Sequence, residues 1–123
     1  MIHFDTNYLI AALVPGSAAE AKVLVWLTAG ESLGISSIAW SEFLCGPLSP
    51  PDEALARLLL SAPDPFLGAD AGKAAELFNL TGRRSRSLAD CQIAAVALRC
   101  GARVATGNTG DFSPFQPHGL VLA

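Results

Sequence analysis

The stretch LADCQIAAVALRCGARVATGNTGD, residues 88–111, decides the fold. Cys91, Ala94, Ala95 and Leu98 recur at the i, i+3, i+4, i+7 spacing of a helix with one buried face. Ser87 or Leu88 opens that helix, and Gly101 stands where a residue past the last turn commonly turns left-handed. Arg103 to Thr106 then reads as a strand, and Gly107 to Gly110 as a turn-rich loop. The helix climbs about 16 Å from Asp90 to Gly101 and the strand through Gly107 returns about 16 Å, so the chain comes back to its starting level. Asp90, Asn108 and Asp111 should therefore meet at the carboxyl end of a strand.

The same alternation runs outward to both ends. Ile2 to Asp5 is a short β run, followed by Thr6 and Asn7 as cap residues and an apolar helix through Leu13 that Pro15 and Gly16 end. Ser17 can cap a helix to about Ala29, with Ala21, Leu24, Val25 and Thr28 on one face, and Leu33 to Ser36 is a second buried strand. A helix starting at Ser37 or its neighbour carries Trp40, Ser41, Glu42, Phe43 and Leu44 and stops at Gly46 and Pro47. Leu48 to Pro51 reads as a flexible loop, Asp52 to about Ser61 as a helix, Pro65 to Leu67 as a short strand or irregular connection, and Asp70 to about Leu80 as a helix closed by Gly82. Gly119 to Leu122 is a last short strand. Strands alternating with helices imply an α/β protein, one three-layer α/β/α domain over residues 1–123 with a central, mostly parallel sheet.

Composition narrows the function. With 51% apolar and only 15% charged residues, little is left for a disordered tail, and some apolar surface is expected to be covered by a partner, in a dimer or a complex. No apolar run reaches the roughly 20 residues of a membrane helix, and Asp5 interrupts the one candidate leader, so a cytoplasmic protein is expected. The three cysteines, Cys45, Cys91 and Cys100, lie in apolar helical contexts and read as reduced core residues. A net charge of −3 argues against holding nucleic acid by bulk attraction, which leaves metal ions and a local basic patch, Arg83, Arg84 and Arg86, to do that work.

Asp5 closes the first strand, Glu42 is placed at the opening of a helix, Asp90 stands at another helix start and Asp111 lies in a late turn. Open parallel sheets bind ligands at the carboxyl ends of their strands, where strand order reverses. Like charges about 5 Å apart at an effective dielectric near 20 cost on the order of 3 kcal/mol per pair. Four such acids need protons or cations, and a hard divalent ion would leave them ionised and create a Lewis-acid site.

At this point the residues resemble a known family. Asp5-Thr6-Asn7, Ser41-Glu42-Phe43, the Asp90-Cys91-Gln92-Ile93-Ala94-Ala95 helix start and the Thr106-Gly107-Asn108-Thr109-Gly110-Asp111-Phe112 turn, in that order, look like the PIN domain, and the chain is similar to the small VapC-type toxins of bacterial toxin–antitoxin pairs. The resemblance is strong at both ends and weak from Leu48 to Arg86. It implies a metal-dependent ribonuclease using Mg²⁺ or Mn²⁺, with Asp5, Glu42, Asp90 and Asp111 as catalytic and metal-binding acids and products ending in 5′-phosphate and 3′-hydroxyl. Thr6 and Thr106 match small polar residues that orient the cluster. Asn108 stands where many relatives carry an acid, so either Asp111 completes the site or three acids work with an amide oxygen. The resemblance also implies RNA as substrate and a cognate antitoxin whose basic arm could enter the cleft, while the apolar composition leads to the expectation of a homodimer.

Ordinary readings exist for each residue taken singly. Asp5 could only cap a helix, Glu42 and Asp90 could serve the helix dipole, and Asp111 could be a turn residue. All four would then share sheet edge and level by coincidence. Arg83, Arg84 and Arg86 could contact a phosphate backbone at the cleft rim or form a solvated loop. His3 and His118 read as structural or surface residues, since neither has a Cys or His partner at metal-ligand spacing. A phosphate-binding loop is excluded because Ala74 follows Gly72-Lys73, and a receiver-like phosphoacceptor lacks a lysine beyond Lys73. The rival from another class is a catalytically inactive binding module holding a basic peptide in the acidic cleft.

Overall fold

The computed structural model describes residues 1–123. In chain order its elements are β1 (Ile2–Phe4), α1 (Thr6–Ala12), α2 (Ala18–Thr28), β2 (Leu33–Ile35), α3 (Ser37–Cys45), α4 (Pro50–Leu59), α5 (Gly68–Leu80), α6 (Leu88–Cys100), β3 (Arg103–Ala105), α7 (Thr109–Phe112) and a 3-10 helix (Ser113–His118).

β1 is central. It pairs in parallel with β2 on one side and β3 on the other, His3 lying opposite Gly34 and Val104. Every residue of β1 and β2 is buried, as expected for strands covered on both faces. Phe4 packs edge-on against Tyr8 of α1 at 5.3 Å and tilted against Trp26 of α2 at 6.1 Å. His3, one residue earlier, takes the opposite face, where its ring meets Asp64 and lies near Cys100 at the end of α6. This alternation defines the layers: α1 and α2 cover one face of the sheet, and α6 covers the other with α5 packed on it.

The strand expected over Gly119 to Leu122 reduces to a single parallel bridge, Val104 with Leu122, while Pro65 to Leu67 is an irregular connection, preceded by one parallel bridge of Asp64 with Ser36. Asp64 is flanked by Pro63 and Pro65, which have no N–H to extend a ladder, so pairing stops after one residue. Ser49 caps α4, accepting from Asp52 N at 3.3 Å, and Pro50 and Pro51 fill its first turn, where missing N–H groups leave no acceptor unpaired. The loop expected over Leu48 to Pro51 is therefore shorter than anticipated. The turn-rich segment after β3 also folds further than expected, into α7 and the 3-10 helix, because Phe112 and Phe115 are both buried and pack edge-on at 5.9 Å.

The face of α2 that enters the core is Val23 and Trp26, whereas Ala21, Leu24, Val25 and Thr28 look to solvent. Gly101 takes φ 65° and closes α6. Asp70, 2% exposed, accepts from Leu67 N at 2.9 Å and from Arg99 Nε at 3.0 Å, and Arg99 also donates to Pro65 O at 2.6 Å. That clasp ties α5, α6 and the preceding connection together. No helix is long and apolar enough to cross a membrane.

Candidate active site

Asp5 follows β1 directly, at the point where the strand order β2-β1-β3 reverses. Its Oδ1 accepts from Tyr8 N at 2.7 Å and so caps α1, while its Oδ2 accepts from Thr106 Oγ1 at 2.5 Å. Capping and membership of the acid cluster are thus roles of two different oxygens. Glu42 does not open its helix. It lies in the second half of α3, exposed, and Thr6 Oγ1 donates to its Oε1 at 3.0 Å. Asp90 is the third residue of α6 and half-buried.

After β3, the Thr106 hydroxyl also accepts from Asn108 N at 3.0 Å. Asn108 Nδ2 donates to Asp111 Oδ2 at 2.6 Å, and Asp111 N donates to Asn108 O at 3.1 Å. The amide departure at Asn108 therefore orients the neighbouring carboxylate, and both side chains line the site. One cleft of about 110 Å³ is lined by Asp5, Glu42, Asp90, Asn108 and Asp111, with Ile93 and Phe112 as its apolar lining. Asn7, read from the sequence only as a cap residue, lines it too, and the Asp5-Thr6-Asn7 run was the available signal. Larger hollows lie elsewhere on the surface, but they are mostly apolar and hold no cluster of acids.

The acids feel one another. Burial is the largest cause holding Asp90 up at about 6, with Asp111, Glu42 and Asp5 adding to it and Arg84 opposing. Asp5 is likewise raised by burial, against the hydrogen bonds from Thr106 and Tyr8, with Glu42 and Asp111 pushing the same way. A carboxyl raised this far marks a group withdrawn from water among other acids whose repulsion Arg84 does not offset. The donor set is all hard oxygen, which suits Mg²⁺ or Mn²⁺. The four carboxylates surround the cleft without crowding: the only three Asp, Glu, His or Cys side chains with ligand atoms within 4.8 Å of one another are His3, Asp64 and Cys100. The wider spacing of the acids fits an ion held partly through water, as Mg²⁺ prefers.

The three arginines part company. Arg84 Nη2 donates to Asp111 O at 3.2 Å, and its guanidinium lies 5.8 Å from the Phe115 ring. Arg83 turns back onto α5, donating to Asn79 Oδ1 at 2.7 Å over Phe78, and Arg86 is exposed. Arg83 and Arg86 take φ 52° and 63°, left-handed backbone uncommon for side chains of this size.

A family model described as the PIN domain matches residues 2–113. No curated protein matches the chain. Among solved structures, VapBC2 from Rickettsia felis bound to a DNA fragment from its promoter contains a chain superposing with a TM-score of 0.76 at 19% identity, over 100% of this chain and 98% of that one. FitAcB from Neisseria gonorrhoeae gives 0.73 at 24% identity over 100% and 97%, and FitAB bound to the IR36 DNA fragment gives 0.70 at 22% over 100% and 94%. At these identities the likeness is one of fold.

Proposed function

This chain belongs to the PIN domain family, and on that footing we propose that it is a metal-dependent ribonuclease, the toxin of a VapBC-type toxin–antitoxin pair. The observation that carries the proposal is the meeting of Asp5, Glu42, Asp90 and Asp111, from four separate parts of the chain, around one cleft where burial first, and then the neighbouring acids, push Asp90 up to about 6.

In this reading the four carboxylates hold one or two Mg²⁺ or Mn²⁺ ions. A cation bound there supplies Lewis acidity toward a phosphodiester and its attacking water. The protein's own part is placement. Thr106 fixes the Asp5 carboxylate, Thr6 fixes Glu42, and Asn108 fixes Asp111, so three acids are oriented before substrate arrives. Arg83, Arg84 and Arg86 lie in the loop entering α6, where they would contact the backbone of the RNA. With a net charge of −3, binding relies on that local patch and on the cations. Such a substrate also favours a cytoplasmic protein.

An antitoxin partner is supported by the names of the similar complexes and by apolar surface. A groove of about 340 Å³ lined by Ile10, Leu13, Val14, Phe43 and Leu48 would take the apolar face of a helix. The exposed Leu24 and Val25 of α2 suit a homodimer contact.

Cleavage of total cellular RNA with magnesium or with EDTA, and mapping of the fragment ends, tests the proposal. Cleavage should require the metal, leave 5′-phosphates, and vanish in Asp5→Asn, which keeps an oxygen to cap α1. Activity surviving in EDTA or in Asp5→Asn would overturn it, and tight binding of a basic peptide without magnesium dependence would favour the binding-module reading instead.

A further inference from the structure

We infer that His3, Asp64 and Cys100 form a second cation site, built for a thiol-accepting divalent ion of the zinc class and separate from the acidic cleft. One imidazole nitrogen, one carboxylate oxygen and one sulfur lie within 4.8 Å of one another. That is the mixed N, O, S donor set of a borderline-soft ion, with three protein ligands and one position left for water. The ligands come from β1, from the segment bridged to the end of β2, and from the last residue of α6, so an ion would cross-link the sheet to the helix covering it.

The imidazole is closely packed on its β2 side. The His3 side chain is fully buried, with Nε2 2.7 Å from Asp64 Oδ2, whereas Asp64 is 27% exposed and leaves the site open on one side. Opposite His3 in β2 stands Gly34, where an added Cβ would come within 3.1 Å of His3 Cδ2 and 3.3 Å of Nε2. A side chain at position 34 would crowd the ring, which would have to give by a few tenths of an ångström. His3 Nδ1 is buried without a partner, so Asp64 alone holds the ring by hydrogen bond. Binding would replace the Nε2 to Asp64 hydrogen bond, with the imidazole proton carried on Nδ1 and the thiol proton released to solvent.

The two sites differ in chemistry and place. The acidic cleft offers no sulfur, and Asp90 and Cys100 lie at opposite ends of α6, about 15 Å apart along its axis. The second site is independent of any nuclease activity.

Cobalt is the probe, added to the chelator-stripped full-length protein. One equivalent should produce thiolate-to-cobalt charge-transfer absorption in the near ultraviolet, and zinc should displace it. The band should be lost in Cys100→Ser and unchanged in Asp5→Asn and Cys45→Ser. Asp64→Asn keeps a hydrogen-bonding partner for His3 and should weaken cobalt binding by about tenfold or more. It carries the same expectation if Cys100→Ser does not fold. Absence of the band in the wild-type protein, or its persistence in Cys100→Ser, overturns the inference, and neither outcome depends on RNA cleavage.

Discussion

Thr106 Oγ1 donates to Asp5 Oδ2 at 2.5 Å, joining the end of β3 to the end of β1 where the strand order reverses. The same hydroxyl accepts from Asn108 N, so one threonine sets both the most buried acid of the cleft and the loop that carries Asp111. Thr106→Val keeps the β-branched shape and removes both bonds. Cleavage and magnesium affinity should fall by about 10–100-fold with the circular dichroism spectrum unchanged. Unaltered affinity would reduce the hydroxyl to packing.

Asp90 gives a pH dependence of definite sign. Its folded value of about 6 lies above the ordinary 3.8, so the folded chain holds this proton more tightly than the unfolded one. The group's contribution to metal-free stability is full below about pH 4 and is lost as pH rises through about 6. Asp90→Asn should therefore raise the melting temperature of the metal-free protein at neutral pH and, if the proposed site binds magnesium, abolish the stabilisation expected from it in the wild type. A lower melting temperature at neutral pH would contradict the account of Asp90 as a carboxyl raised by burial and neighbouring acids.

Asn108→Asp exchanges the donor that holds Asp111 for a fifth carboxylate in the cleft. Stability without metal should drop, and magnesium should restore more of it than in the wild type. Calorimetric titration beside thermal melts would show both, and a weaker magnesium affinity would mean that the orienting bond outweighs the added charge.

Arg84 opposes the rise of Asp90, and it also holds the Asp111 carbonyl. In Arg84→Ala the Asp90 carboxyl should titrate above about 6 in carbon-detected NMR, and cleavage should fall more than in Arg83→Ala or Arg86→Ala. An unmoved titration would show that the guanidinium is screened from the cleft.

Far from the cleft, Asp70→Ala removes the acceptor for Leu67 N and Arg99 together. Chemical denaturation should show a loss of about 1–3 kcal/mol with magnesium affinity unchanged.

β1, β2, β3 and α6 were legible because each is a short apolar run or a strictly periodic one bounded by turn or cap residues. α2 was legible as a helix but not in its inward face: with Leu24, Val25, Leu27 and Trp26 all apolar, periodicity cannot choose, and contact of Trp26 with Phe4 and Tyr8 decides. α7 was hidden because Gly107 to Gly110 reads as turn by local preference, whereas burial of Phe112 and Phe115 folds the segment into helix. The start of α4 was missed because proline breaks a helix interior yet suits its first turn.

By itself the sequence determined that Asp5, Asp90 and the Asn108 to Asp111 turn stand at strand ends or at the start of α6, and hence that hard oxygen donors gather at one level, since rise per residue is a local property of the backbone; it did not place Glu42, which sits in the second half of α3. Only the tertiary structure decided which hydroxyls Asp5 and Glu42 engage, that burial raises Asp90, and that His3 meets Asp64 and Cys100. Those are distances between segments roughly 30 to 100 residues apart, set by strand order and side-chain packing, to which local conformational preference is blind.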